Sequence, residues 1–209
     1  ITRVFGPCVD FHRDYNPIIG GKNRAFGKTN ESIISLSKIY IDSFIQKGIQ
    51  CCLKHFPEHG LSRGDSHKGL FKSCVDEDVT SQGARDSYKS KYLDLLKNTS
   101  CDMVMIAHLL HPIGDREVLT TFSSELRNIL PESINTITDC LSMGALREYS
   151  LEERLVRAFE AGNNLLMLTQ QDAPVMSAVI ENVEGILSGQ KSLEDFLTNQ
   201  SKLAENARV

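Results

Sequence analysis

Five short apolar segments of this chain each end at a polar or ionisable residue, and this repeat restricts the folds open to it. The segments cover residues 4–9, 48–53, 103–107, 134–138 and 165–168, and the residues that follow them are Asp10, Lys54, His108, Asp139 and Thr169. Short runs that are apolar throughout are typical of strands buried on both faces of a parallel sheet. The polar residues are then expected at the carboxyl edge of the sheet, where α/β proteins carry their functional groups.

The stretches between these segments have apolar residues at helical spacing. They cover residues 32–46, 83–97, 151–161 and 174–187. Strand, loop and helix in repeated alternation indicate parallel βα units with right-handed crossovers, and so an α/β fold. A (β/α)₈ barrel of the TIM type takes about 250 residues, and the pattern here supplies about five units. We therefore expect one domain, residues 1–209, that lacks its first βα units and is completed by a missing amino-terminal segment.

Composition argues against several classes of partner. Hydrophobic residues make up 41% and charged residues 24% of the chain, as in an ordinary globular domain. A net charge of −4 without a basic stripe disfavours nucleic acid and anionic membranes. No apolar run is long enough to span a bilayer, and we expect no signal peptide. Six cysteines without a C-x-x-C pair predict reduced thiols in a cytoplasmic protein.

The densest group of ionisable side chains lies between residues 54 and 67. Residues 54–60 have the sequence K-H-F-P-E-H-G, and residues 65–67 have the sequence D-S-H. Pro57 and Gly60 interrupt regular structure, so the group is expected on a loop after a strand. His55-x-x-Glu58-His59 also matches the pattern of inverted zinc hydrolases. That alternative needs both imidazoles on one helical face, and Pro57 opposes such a helix.

The same residues resemble a known family. K-H-F-P-E-H-G followed by D-S-H is similar to the K-H-F-P-G-H-G…D-S-H signature of glycoside hydrolase family 3 β-N-acetylhexosaminidases. Three further segments resemble that family in the same order. They are residues 7–27, with P-C-V-D, N-P-I-I-G and R-A-F-G, then Ala107-His108, and T-D-C-L-S-M-G-A at residues 138–145. The resemblance extends from Val4 to about Gly189.

The resemblance implies an activity and a set of roles. The expected reaction is retaining hydrolysis of terminal β-linked N-acetylglucosamine, often from muropeptide fragments of peptidoglycan, with no cofactor and no metal. Asp139 would be the nucleophile and His67 the general acid/base, with Asp65 as the partner of His67. The residues expected to hold the sugar are Arg24, Lys54 and His55. A retaining glycosidase needs such a carboxylate and such a proton donor on opposite sides of the scissile bond.

Each assignment has a structural alternative. Asp139 could cap a helix, His67 could be a solvated loop residue, and Asp65 could only form a turn. Arg24 could be an ion-pair partner, and His108 is expected to be a structural hydrogen-bonding residue.

Three positions differ from the family pattern, and they leave open a degenerate, non-catalytic sugar-binding relative. Glu58 replaces a usual Gly, Cys140 replaces a usual Asp, and Asn164 replaces the Asp of a usual pair. If the Gly position needs a positive φ, Glu58 would be strained there, and its charge would lie near the sugar. Cys140 would remove a hydrogen bond beside the nucleophile. The early D-Q-E-G-G segment of the family does not occur in the chain.

Overall fold

The computed structural model describes residues 1–73, 81–113, 116–169, 176–189 and 192. The helices are α1 (Asn30–Ile45), α2 (Ser81–Asn98), α3 (Ser124–Arg127), α4 (Leu151–Glu160) and α5 (Met176–Leu187). The strands are β1 (Leu53–Phe56), β2 (Met103–Ile106), β3 (Leu110–Ile113), β4 (Arg116–Leu119) and β5 (Asn135–Thr138). Among the described residues no helix has the length and apolar character needed to cross a bilayer.

Strands β1, β2 and β5 form a three-stranded parallel sheet in that order. The register of β2 with β5 runs from Met103 opposite Asn135 to Ile106 opposite Thr138. This parallel sheet with its helices confirms the predicted α/β class. Within the described ranges the sheet is open and does not close into a barrel.

Two extended segments flank the sheet where the sequence predicted further strands. The segment of residues 4–9, together with Arg3 before it, lies beside β1. Parallel bridges join Arg3 to Gln50 and Cys8 to Lys54. On the other side Leu165 forms a parallel bridge with Ile137. Backbone hydrogen bonds follow both segments, from Val4 to Gln50 and from Val9 to Lys54 on the first side and from Leu165 to Thr136 on the other, so the predicted neighbours of the sheet are present although neither forms a continuous regular strand. Pro7, which has no backbone N–H to donate, contributes to this on the first segment.

Strand β1 lies further along the chain than the apolar run suggested. It begins at Leu53, so Lys54 and His55 lie within the strand and not on a loop after it. The amide of Lys54 donates to the carbonyl of Pro7, which extends the pairing into the polar motif. The β1–β2 register shifts between Leu53 and Phe56.

The predicted helices agree closely with α1, α2, α4 and α5, although residues 174 and 175 lie outside the described residues. Local capping defines two of the starts. Thr29 accepts a hydrogen bond from the amide of Ser32, and Ser150 accepts one from the amide of Glu153. The antiparallel hairpin of β3 and β4 was not predicted.

Helices α1 and α2 cover one face of the sheet. Ile33 and Ile41 of α1 and Tyr92 and Leu95 of α2 belong to the same buried cluster as Val104 of β2. A smaller cluster lies on the other face, made of Cys52, Met103, Met105 and Ile137, with Met167 against it. The residues of the candidate site lie beside this smaller cluster.

Candidate active site

One cavity brings together five of the six site residues proposed from the sequence. Its volume is about 190 Å³. The five residues that line it are Asp139, His67, Arg24, Lys54 and His55. The sixth, Asp65, contacts His67 from outside this lining. Apolar side chains of Phe5, Ile18, Met105 and Met167 complete the wall together with His59 and Ser66.

Asp139 follows β5 directly and presents a largely buried carboxylate. Its amide donates to the carbonyl of Ile106, 2.8 Å away, and its Oδ1 accepts from the amide of Cys140 at 2.8 Å. Burial acts to raise the pKa of Asp139, but interactions with His55, His108 and the Cys140 amide lower it overall. The residue is therefore an anion at neutral pH. It does not cap a helix, because the next helical turn, Gly144–Leu146, begins after Met143.

His67 is held by Asp65 in a short turn. The Asp65 Oδ1 atom accepts from the amide of His67 at 3.0 Å and lies 2.9 Å from its Nδ1. Burial acts to raise the pKa of Asp65, but both hydrogen bonds from His67 lower it overall. Asp65 thus forms the turn and also orients the ring, with Nε2 on the opposite side. The side chain of His67 is 64% exposed, so Nε2 has access to water.

The turn that carries His67 packs directly on the segment that follows Asp139. The amide of Gly144 donates to the carbonyl of His67 at 3.2 Å, and that of Ala145 donates to the carbonyl of Ser66 at 2.9 Å. A Cβ atom at Gly144 would lie 2.5 Å from the His67 carbonyl oxygen, so this approach requires glycine. The structure thereby holds the imidazole and the nucleophile candidate in one unit.

Arg24 and His55 form a chain of hydrogen bonds that ends at Asp10. Arg24 Nη2 lies 3.3 Å from His55 Nε2, and His55 Nδ1 lies 2.6 Å from Asp10 Oδ2. A guanidinium can only donate hydrogen bonds, so His55 Nε2 accepts one from Arg24. The ring proton is then on Nδ1, which donates a hydrogen bond to Asp10. Burial acts to raise the pKa of Asp10, but its electrostatic and hydrogen-bond interactions with His55 lower it well below the usual range.

Asp10 contributes to the geometry of the site, although the sequence analysis noted it only as the end of an apolar run and within the P-C-V-D segment. Its carboxylate is fully buried and also accepts from the amides of His55 at 3.1 Å and His59 at 2.7 Å. An acidic residue at a predicted strand end was the available signal. Its contacts with residues 55 and 59 could not be read from the sequence.

The loop that carries Arg24 is fixed by Asn16, which is fully buried. Asn16 Nδ2 donates to the carbonyls of His59 and Ser62, and Oδ1 accepts from the amides of Ile18 and Ile19. The Arg24 amide donates to Ile19, and its guanidinium donates to the Ile18 carbonyl at 3.3 Å. Arg24 has no acidic partner among the described contacts, so its guanidinium remains available on the cavity wall.

His59 was not proposed as a site residue, although it lines the cavity. Its Nε2 lies 2.9 Å from Ser66 Oγ. Burial lowers the pKa of His59 to about 4, and the interaction with His55 acts in the same direction. His59 is therefore neutral at pH 7 and joins residues 58–60 to the turn that carries His67.

The zinc alternative is not supported by the positions of its ligands. His55 directs Nδ1 to Asp10, His59 directs Nε2 to Ser66, and the Glu58 carboxylate pairs with Lys91. A different trio among the described residues, Cys8, Asp10 and His55, has donor atoms within 4.8 Å of one another. In this trio His55 Nδ1 already carries a proton, so the geometry is that of a hydrogen-bonded chain and not of a ligand set.

The structure shows what the residue at each of the three departures from the family pattern contacts. Glu58 has φ −175, which is ordinary extended backbone, so the expected strain is wrong. Its carboxylate does not line the cavity and pairs with Lys91. Cys140 contributes its amide to Asp139 and its carbonyl to His108 Nε2 at 3.0 Å. Asn164 Oδ1 accepts from the amide of Thr136 at 2.8 Å and supports the start of β5.

His108 is buried and acts as a structural residue, as expected. Its Nδ1 lies 2.5 Å from Thr121 Oγ1, and Nε2 donates to the carbonyl of Cys140. Burial lowers the pKa of His108, which favours the neutral ring. Its role is to hold residue 140, and with it the amide that contacts Asp139.

A parallel α/β sheet that gathers a carboxylate, an imidazole and cationic side chains around one cavity is compatible with the hydrolysis of a glycosidic bond. The model of the family described as "Glycosyl hydrolase family 3 N terminal domain" matches residues 1–201, and the chain belongs to this family. The resemblance inferred from the motifs is thereby confirmed.

Two curated proteins similar to the chain are named as β-hexosaminidases. A β-hexosaminidase from Idiomarina loihiensis is 29% identical over 174 residues, which are 81% of this chain and 50% of the relative. A β-hexosaminidase from Haemophilus influenzae is 27% identical over 88% of this chain and 52% of its own length. The chain thus spans about half the length of these curated relatives.

A solved structure agrees with this comparison. The glycoside hydrolase family 3 β-N-acetylglucosaminidase from Paenibacillus sp. FPU-7 superposes with a TM-score of 0.78 and 29% identity. The match covers 93% of this chain and 37% of that one.

Proposed function

We propose that this chain carries the active site of a retaining β-N-acetylhexosaminidase, which hydrolyses terminal β-linked N-acetylglucosamine. One observation carries the proposal: Asp139 and His67, from separate segments, line the same cavity as Arg24, Lys54 and His55. The names of the relatives support the choice of sugar. A carboxylate and a proton donor around one small pocket are what a two-step glycosidase requires.

In the first step, Asp139 attacks the anomeric carbon and forms a glycosyl ester while the bond to the leaving oxygen breaks. The lowered pKa of Asp139 keeps the nucleophile in its anionic form. His67 in its imidazolium form donates the Nε2 proton to the leaving oxygen, so that an alcohol departs. The Asp65 carboxylate at Nδ1 stabilises the imidazolium and orients the ring, as a triad carboxylate does.

In the second step, neutral His67 takes a proton from water, and the resulting nucleophile attacks the same anomeric carbon. The ester bond to Asp139 breaks, which restores the carboxylate and releases the sugar with its original β configuration. The exposure of His67 suits this exchange with solvent. Use of an imidazole also avoids a second carboxylate, whose charge would oppose that of Asp139.

The sugar would be held by polar groups on one wall and apolar groups on another. Lys54 and Arg24 can donate charge-assisted hydrogen bonds to hydroxyls or to the acetamido carbonyl. His55, whose Nε2 faces Arg24, holds that guanidinium in place. Met105 and Met167 give an apolar surface for the face of the ring or for the acetyl methyl group.

The proposal also includes a natural substrate and a compartment. Fragments of peptidoglycan that carry terminal N-acetylglucosamine would supply it, and the reaction would take place in the cytoplasm. The cysteines of the described residues are all free thiols, which is compatible with a reducing compartment. An amino-terminal segment that completes a barrel around the open sheet would enclose the cavity.

The test is hydrolysis of paired chromogenic substrates by the full chain. The 4-nitrophenyl β-N-acetylglucosaminide should be cleaved with retention, and the matching β-glucoside should be cleaved far more slowly. A fluorinated N-acetylglucosaminyl donor should label the peptide that contains Asp139, as seen by mass spectrometry. Binding of N-acetylglucosamine without any turnover would instead indicate the degenerate sugar-binding alternative, and label on another residue would refute the role of Asp139.

A further inference from the structure

Helix α2 contributes a fully buried cation to the back of the candidate site. The side chains of Lys91 and Glu58 are both 0% exposed, and Lys91 Nζ pairs with Glu58 Oε2. Lys91 Nζ also lies 4.1 Å from the centre of the Phe11 ring. A buried ion pair is weak evidence of a stabilising role, because desolvation of both charges offsets their attraction. The pair therefore calls for another explanation.

The second carboxylate oxygen of Glu58 joins two backbone segments. Oε1 accepts from the amide of Phe11 at 2.8 Å and from the amide of Gly60 at 3.2 Å. The two segments are in close contact, since a Cβ atom at Gly60 would lie 2.2 Å from the Phe11 carbonyl oxygen. Lys91 fixes Oε2, and Oε1 in turn fixes the separation of these segments.

The same two segments carry the groups that orient the sugar-binding wall. Phe11 follows Asp10, and Glu58 precedes His59, whose amide donates to Asp10 at 2.7 Å. Asp10 accepts a hydrogen bond from His55 Nδ1, and His55 Nε2 contacts Arg24. A displacement of Phe11 or of residues 58–60 would move Asp10 relative to His55, and so would move the Arg24 guanidinium on the cavity wall.

We propose that Glu58 and Lys91 are positioning residues for the sugar, and that they act through Phe11 and Asp10 on His55 and Arg24. The inference rests on the proposed function, because it takes the cavity to be the sugar site. Neither residue lines that cavity, so both act at a distance. Glu58 stands where the family usually has Gly, and a Gly at this position could not form the ion pair with Lys91.

The test compares Lys91→Met and the double variant Glu58→Gln/Lys91→Met with the wild-type full chain. The double variant leaves no buried charge without a partner, and it keeps the proposal testable if Lys91→Met alone does not fold. The readouts are KM and kcat for 4-nitrophenyl β-N-acetylglucosaminide, and Kd for N-acetylglucosamine by calorimetry. KM and Kd should rise about tenfold in both variants, because small misplacements of binding groups are costly.

These readouts separate positioning from general stability. Irreversibly unfolded protein lowers the active concentration, and with it the apparent kcat, but it leaves KM and Kd unchanged. Reversible unfolding raises the apparent KM and Kd by the reciprocal of the folded fraction, so each variant is assayed only where urea denaturation shows it to be almost fully folded. The matched control is Lys38→Met. It removes a partly exposed pair, 3.0 Å apart, between Lys38 of α1 and Asp94, which lies on the same helix as Lys91. This control should keep the wild-type KM and Kd.

Folded variants with wild-type KM and Kd would overturn the positioning role. A wild-type chain that binds N-acetylglucosamine without hydrolysing it would refute the proposed function alone, and the Kd comparison would still decide the role of the pair. A wild-type chain that neither binds nor hydrolyses the sugar would refute both.

Discussion

The imidazole of His55 and the carboxylate of Asp10 form a pair with a defined proton position. Nδ1 and Oδ2 are 2.6 Å apart, and Asp10 is fully buried. Because Arg24 faces the other nitrogen, the proton lies on Nδ1 and the Nε2 lone pair faces the guanidinium. The orientation of Arg24 on the cavity wall thus depends on Asp10, which does not line the cavity.

Replacement of the Asp10 carboxylate should weaken sugar binding more than it slows the chemical steps. In Asp10→Asn the amide keeps the size of the side chain but cannot accept from His55 and both backbone amides. We expect KM to rise by roughly tenfold and the free energy of unfolding to fall by about 2 kcal/mol, as for loss of a charged hydrogen bond. Steady-state kinetics and urea denaturation measure the two effects. Unchanged values of both would show that Asp10 has no such role.

Asp139→Asn should abolish turnover while the fold is retained. The substitution removes the proposed nucleophile but preserves the size of the side chain. We expect kcat to fall by at least about four orders of magnitude, because loss of one member of a catalytic unit costs about 10⁴–10⁶-fold. Circular dichroism should match the wild type, and Kd for N-acetylglucosamine should change little. Near-wild-type hydrolysis by this variant would exclude Asp139 as the nucleophile.

His67→Ala should show a dependence on the leaving group. Loss of a general acid typically costs about 10²–10⁴-fold in rate, and a good leaving group needs little protonation. Alkyl N-acetylglucosaminides should therefore suffer more than 4-nitrophenyl or dinitrophenyl substrates. Chelators should not change the wild-type rate. An equal loss for all leaving groups would argue that His67 is not the acid.

His59 should make stability depend on pH below neutrality. Its folded pKa of about 4 lies below the usual 6.5, so the unfolded chain binds the proton more readily. The stability from neutral His59 is present above pH 6.5 and is lost as pH falls through 6.5 towards 4. Between pH 7 and 5 the loss is on the order of 2 kcal/mol.

The measurement is the difference in urea stability between wild type and His59→Gln at pH 7 and pH 5. A difference is needed because burial acts to raise the pKa of Glu58 against the attraction of Lys91, and a raised carboxyl pKa has the opposite effect on stability. His108, whose pKa burial also lowers, adds a slope that both proteins share. Parallel pH curves for the two proteins would contradict the assignment.

The sequence predicted those features that depend on local spacing. Helices α1 and α4 followed from apolar periodicity, whereas their caps, Thr29 and Ser150, were found in the structure. Asp139 and His108 followed from apolar runs that end in a polar residue, because parallel strands put such residues at one edge. The motif resemblance then identified the residues that share the cavity.

The remaining features depend on contacts between distant parts of the chain. The Glu58–Lys91 pair joins residues 33 positions apart, and the Asp10–His55 pair joins residues 45 positions apart. No periodicity indicates such pairs. The β3–β4 hairpin was missed because its strands are short and Pro112 and His111 interrupt the apolar pattern. The start of β1 was misplaced because Lys54 and His55 are polar, although their backbone continues the sheet.

The hydrogen bonds from Gly144 and Ala145 to the carbonyls of His67 and Ser66 limit how this site can be re-engineered. A chimaera that takes residues 62–69 from a relative but keeps the segment after Asp139 would combine two surfaces that did not evolve together. A transplant of both segments would preserve the distance between proton donor and nucleophile. The proposed proton donor and nucleophile are therefore held in one packed unit, and loop exchange should be planned on that scale.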